Sequence, residues 1–119
     1  MFGTSGTFWI RVAGLSGAAA VTLGAIGAHA FKNQPESMRE TWKIASQYHF
    51  IHTLALTAAA FHLAGKKRTY ACTLFSLGML FFSGACYTIV IMDQKKPFNY
   101  LAPVGGTMLI GGWLALALL

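Results

Sequence analysis

Residues 69–92 read TYACTLFSLGMLFFSGACYTIVIM, 24 residues without one charged side chain. A helix rises about 1.5 Å per residue, so this stretch alone reaches the roughly 30 Å of a bilayer's hydrocarbon core. Lys66, Lys67 and Arg68 close it on one side, and Asp93, Lys95 and Lys96 on the other. The same arrangement repeats outward. Stretches 12–31, 44–65 and 97–119 hold 20, 22 and 23 uncharged residues, and Arg11 and the cluster Lys32, Glu36, Arg39, Glu40 and Lys43 delimit them. The pattern predicts an all-α fold, a four-transmembrane-helix bundle in one integral membrane domain, with spans at about 8–30, 47–64, 70–92 and 101–119.

Composition points the same way. The 119 residues are 55% hydrophobic and 10% charged, against about 25% charged in a soluble domain. Four such helices in water would expose large apolar patches, whereas lipid removes that cost. The net charge of +6 does not indicate nucleic acid. Its cations flank the spans, where they favour anionic head groups and fix topology, and no groove-reading motif accompanies them. Cys72 and Cys86 fall in one stretch. Fourteen residues of helix would separate them by about 21 Å, beyond the roughly 7 Å a disulfide allows, so both read as packed thiols. Ala28-His29-Ala30 has the form of a signal-peptidase site, but the apolar run before it is about twice the usual length, which predicts a retained helix.

The first helix is expected to start near Phe8 or Trp9 and to end near Ala30. Ala13, Gly17, Ala20, Gly24 and Gly27 recur every three or four residues and make one flat face for close packing. Asn33-Gln34-Pro35 reads as a turn and helix start, with Pro35 at the first helical position. Residues 35–46 carry mixed charge, with Met38, Trp42, Ala45 and His49 on one side. They form a short amphipathic segment before the second span, lying in the head-group plane or continuing the second helix. Gly65 is placed at the C-terminal cap of the second span, and Lys66-Lys67-Arg68 as a tight basic turn. Pro103 is placed at the start of the fourth span, with Gly105 and Gly112 on one face. Four spans put both termini on one side. That side then carries four Lys plus Arg and the other five, so the tally barely orients the protein; the dense Lys66–Arg68 cluster leans towards termini on the more negative side.

No Asp, Glu, Lys or Arg lies within the four uncharged stretches, which argues against an ion-coupled pump. His29, His49 and His52 are the chemical candidates. All three are expected near one membrane boundary, where three imidazoles would suit a transition metal or a proton-linked site, and one or two would suit haem. The structural reading, in which each closes an interhelical gap, is favoured because no acidic partner is evident. His62 reads as an interface residue. Ser76, Ser83, Thr53 and Thr57 read as hydroxyls bonded to backbone rather than nucleophiles. The Phe81-Phe82 pair and Trp113 read as lipid-facing or packing residues.

Several stretches resemble the transmembrane protein 256 family of small membrane proteins. They are Arg11-Val-Ala-Gly-Leu-Ser-Gly-Ala-Ala-Ala20 with Gly24-Ala-Ile-Gly-Ala-His-Ala30, then Tyr48-His-Phe-Ile-His-Thr-Leu-Ala-Leu56, then Gly78 through Tyr87, then Leu101-Ala-Pro-Val-Gly-Gly-Thr107 with Gly112-Trp-Leu-Ala-Leu116. The resemblance covers nearly the whole chain in order. It implies a four-span membrane protein with no enzyme activity, and a mitochondrial location for eukaryotic members. The resulting expectation is a non-enzymatic structural or accessory subunit of a larger membrane assembly in the mitochondrial inner membrane. It needs no cofactor and is surrounded by lipid and other subunits, with Gly17, Gly24, Gly27, Gly105 and Gly112 packing helices. The alternative is an oligomeric small transporter or channel, or a metal- or cofactor-binding protein using His29, His49 and His52. An intramembrane enzyme ranks last, because no nucleophile–base pair is visible in the sequence.

Overall fold

The computed structural model describes residues 3–119, and these form four helices: α1 (Gly3–Ala30), α2 (Glu36–His62), α3 (Gly65–Met92) and α4 (Phe98–Leu118). Their 28, 27, 28 and 21 residues correspond to rods of about 30–40 Å. The chain runs up and down through them, giving a slab of 48 × 25 × 19 Å. α3 is the central helix. It packs most extensively on α4, then on α2, while α1 leans on α2 and barely reaches α3.

Helices α1, α3 and α4 are each long and apolar enough to cross a membrane by length and composition; α2 does not meet that measure. Two features lower its hydropathy. Its first two turns carry the charged cluster from Glu36 to Lys43. Its later turns hold His49, His52 and Thr53, all three buried against other helices.

Of the two readings of residues 35–46, the structure shows the continuation of the second helix: residues 36–62 are one uninterrupted helix. Pro35 sits just outside it as the cap residue, its carbonyl accepting the amides of Met38 and Arg39 at 3.0 and 3.1 Å. Glu36 in the first turn suits the positive end of the helix dipole. The segment does not separate because Trp42 and Ala45 are buried on the same stripe that His49 continues.

The α2–α3 junction also differs from expectation. α2 ends at His62, Leu63 and Ala64 are extended, and Gly65 opens α3 rather than capping α2. Gly65 has φ +59°, a conformation that costs glycine nothing and lets the chain reverse within two residues. Lys66, Lys67 and Arg68 therefore lie in the first turn of α3, not in a loop. Cations there oppose the helix dipole, and two of them reach carbonyls instead. Buried Arg68 donates Nε–H to the Leu63 carbonyl at 2.9 Å, and Lys67 donates to the Leu119 carbonyl beyond the end of α4 at 3.1 Å. α3 closes on Asp93 in the left-handed region, with the Gln94 amide bonded back to the Ile89 carbonyl at 3.2 Å. α4 starts at Phe98, so Pro103 lies inside it. The Asn99 and Tyr100 amides already find the Lys95 and Pro97 carbonyls, which nucleates the helix before the proline.

The core forms two clusters. One gathers Leu56, Cys72, Phe75, Met79 and Leu109; the other gathers Trp42, Ala45, Cys86, Tyr87 and Val90. Both cysteines are free and buried. The glycines divide by what a Cβ would meet. At Gly105 it would strike the backbone of Phe82 and come within 2.8 Å of the Gly78 carbonyl oxygen; at Gly112 it would lie 2.7 Å from the Phe75 ring; at Gly27 it would strike the Trp42 indole. Gly78, which the sequence reading did not single out, is equally tight, 2.6 Å from Leu109. Gly17 and Gly24 face neighbours at an ordinary 3.7 Å, so they flatten a surface without being sterically obligatory.

Candidate functional site

The polar groups of α2 are satisfied in two separate places. The first lies where α1, α2 and α3 meet. His49 Nδ1 is 3.0 Å from the Tyr87 hydroxyl and Nε2 is 3.2 Å from Ser16 Oγ. Ser16 Oγ is 2.7 Å from Thr53 Oγ1, which is itself 2.7 Å from the His49 carbonyl oxygen. One donor order uses each hydrogen once: Tyr87 O–H donates to His49 Nδ1, His49 Nε2–H to Ser16, Ser16 to Thr53, and Thr53 to the carbonyl. Met79 Sδ lies 3.7 Å from Ser16 Oγ and 3.6 Å from Thr53 Oγ1. One turn away, Ser83 donates to the Ala45 carbonyl at 2.9 Å. A cavity of about 300 Å³ between α1 and α3 opens beside His49, Ser16 and Tyr87, and Ser76 also lines it. Among the described residues the Ser76 hydroxyl has no partner.

The second place is on α4. His52 Nδ1 lies 2.7 Å from the Tyr48 carbonyl oxygen, and Trp113 Nε1–H donates to His52 Nε2 at 2.9 Å. A carbonyl only accepts and an indole only donates, so these two bonds are met by neutral His52 with its proton on Nδ1. The ring is also stacked near Tyr48 and edge-on to Trp113, with centroids 5.6 and 5.8 Å apart. A groove of about 610 Å³ between α2 and α4 exposes this pair, with Phe82, Pro103 and Ile110 in its walls.

The predicted three-histidine cluster does not form. His49 turns to α1 and α3, His52 turns to α4, and His29 and His62 are exposed at helix ends. Three residues along a helix turn a side chain by about 300°, enough for two neighbouring imidazoles to serve different helices. Among the described residues no three His, Cys, Asp or Glu side chains are grouped to hold a metal. Ser16 and His49 do make a hydroxyl–imidazole pair that sequence reading missed. Ser16 sits inside α1, where the surrounding backbone amides belong to the helix ladder. Trp113, expected to be a lipid or packing residue, proves to be a hydrogen-bond donor. Trp42 does as well, to the Leu23 carbonyl at 3.0 Å. The available signal for Ser16 was its place as the one hydroxyl between Ala13 and Ala20 on the small-residue face.

A family described as Protein of unknown function (DUF423) matches residues 23–106. The UPF0382 membrane protein C1782.12c of Schizosaccharomyces pombe is 30% identical over 113 residues, covering 90% of this chain and 95% of that protein. The UPF0382 membrane protein YwdK of Bacillus subtilis is 36% identical over 101 residues, 80% of each chain. The UPF0382 inner membrane protein YgdD of Escherichia coli K12 is 29% identical over 112 residues, 89% of this chain and 83% of its own length. No solved structure matches the chain.

Proposed function

The chain belongs to the DUF423 family of UPF0382 membrane proteins, and from that footing we propose that it serves without catalysis of its own, as a structural or accessory subunit of a larger membrane assembly. One observation carries this reading. Both buried histidines are committed to interhelical hydrogen bonds, His49 to Ser16 and Tyr87 and His52 to Trp113. The outer faces of α1 and α4 stay apolar, with Leu15 and Val21, and Ile110 and Leu114, all more than half exposed. In lipid such faces need no cover, but they are also where partner helices pack.

The membrane we propose is of the bacterial inner-membrane type, and the mitochondrial inner membrane in a eukaryotic cell. The inner-membrane name of the E. coli relative supports the first, and the resemblance to the transmembrane protein 256 family supports the second. Gentle-detergent purification of the tagged full chain, followed by native gel and identification of co-purifying proteins, tests the role. A reproducible stoichiometric complex is expected. A homo-oligomer alone, moving ions or solutes in liposomes, would replace the accessory role with transport.

A further inference from the structure

A groove of about 710 Å³ lies away from both histidine sites, between the C-terminal end of α1 and the N-terminal half of α2. Its composition changes along its length. Lys32, Arg39 and Lys43 line one end beside the rings of Phe31 and Trp42, Ser46 and Gln47 the middle, and Phe50 and Ile51 the other end. The α2 residues of this series fall at helical spacing. From Arg39 to Ile51 the helix advances twelve steps, about 18 Å along the axis. Glu36 and Glu40, the neighbouring acids of α2, do not line the groove, so its three charged lining residues are all cations. The α1 side is nearly bare at Gly24 and Ala28, while the Trp42 indole covers Gly27. A Cβ on Gly24 would stand 3.7 Å from both Phe50 and Ser46, an ordinary contact, so a slender apolar chain lies over this floor rather than between the two helices. The cationic end is at the α1–α2 connection, which is the end of the helices that meets water.

We propose that this groove is a binding site for an anionic glycerophospholipid. Its phosphate is held by Arg39, Lys43 and Lys32, and one acyl chain runs over Gly24 against Phe50 and Ile51. Charge complementarity selects the head group. Basic pockets between membrane helices recognise anionic head groups in this way, and a guanidinium offers a phosphate two parallel donors. The order of cation, amide and hydroxyl, then aromatic and aliphatic matches the order of chemistry along a lipid from head to tail. A soluble phosphate would use only the first of these three zones.

The test uses the full chain in mixed micelles containing phosphatidylglycerol or phosphatidylcholine, with bound lipid counted by native mass spectrometry. The wild-type protein is expected to retain phosphatidylglycerol preferentially. R39Q/K43Q should weaken that retention by about thirty-fold, as two cations near an anionic surface are each worth about 1 kcal/mol. K66Q, at the opposite end of the protein, should leave it unchanged. A second variant, G24F, keeps every cation and blocks the floor; it should also lose the lipid. Helical circular dichroism checks that each variant is folded. Equal retention of the two lipids by the wild type would overturn the proposal, as would R39Q/K43Q binding like wild type. Competition by millimolar inorganic phosphate with G24F unaffected would reassign the site to a free anion, and the lipid proposal would fail.

Discussion

The imidazole of His49 is held by hydroxyls on α1 and α3, and that of His52 by an indole on α4. Two adjacent turns of one helix thus tie it to all three others. Replacing His49 with Ala leaves the Tyr87 hydroxyl without its imidazole partner and opens a cavity beside Ser16. The expected loss is about 2–3 kcal/mol in a reversible unfolding measurement in detergent. Trp113→Phe keeps one aromatic ring and removes the donor with the pyrrole half of the indole, so the loss should be about 1 kcal/mol. The two networks share no partner. A double-mutant cycle between His49→Ala and Trp113→Phe should therefore give a coupling below about 0.5 kcal/mol. A coupling of several times that would mean the two histidines act as one site, as a metal or shared cofactor would require. Sequence spacing brought both histidines into view, because His is rare enough in an apolar stretch to be noticed. It could not assign their partners. Which way each ring turns depends on where α1 and α4 pack around α2, and that depends on packing along their whole lengths.

At the scale of the helix, glycine position matters more than glycine number. α3 and α4 approach closely enough that the Gly105 Cα faces the Phe82 amide and the Gly78 carbonyl, whereas Gly24 borders the open α1–α2 groove. Gly105→Ala should therefore force two backbones apart and cost about 2–3 kcal/mol, in the range of overpacked cores. Gly24→Ala should be neutral or stabilising by about 0.5 kcal/mol, because Ala limits the unfolded chain and favours helix. Thermal unfolding of both variants side by side in one detergent measures the contrast; equal losses would discredit the close approach at Gly105. The small-residue stripe was plain in the sequence. Its division into tight and open positions was not, because a stripe shows which face is flat and not how near the neighbour comes. The same limit applies at α2. Its charged first turns and apolar later turns were legible, but their continuity was not, since Trp42 counts as an interfacial residue until Leu23 and Tyr87 are seen around it.

For the molecule as a whole, the open question of topology falls on α2, the one helix whose composition does not by itself mark it as a span. Its contacts speak to depth. Trp42 meets Leu23 near one end of α1, and Thr53 meets Ser16 near its middle. α2 therefore runs antiparallel along α1, and a membrane crossed by α1 is expected to enclose the same length of α2. The longest dimension, 48 Å, suits a bilayer of about 40–45 Å including head groups. The charges agree, since Arg11 and Lys66–Arg68 gather towards one end and Lys32–Lys43 and Asp93–Lys96 towards the other. Four crossings place Arg11 and Lys66 on the same side of the membrane. Three crossings, with α2 lying flat, place them on opposite sides. Arg11→Cys and Lys66→Cys report the difference directly, because both positions are exposed while the native Cys72 and Cys86 are buried. In sealed vesicles an impermeant maleimide should label both variants or neither, according to vesicle orientation, and should label Lys95→Cys in the opposite preparation. Labelling of Arg11→Cys and Lys66→Cys from opposite faces would leave α2 outside the hydrocarbon. His49, His52 and Thr53 would then have water within reach, and the hydrogen bonds that now join them to α1, α3 and α4 would lose the low-dielectric surroundings that make them worth keeping.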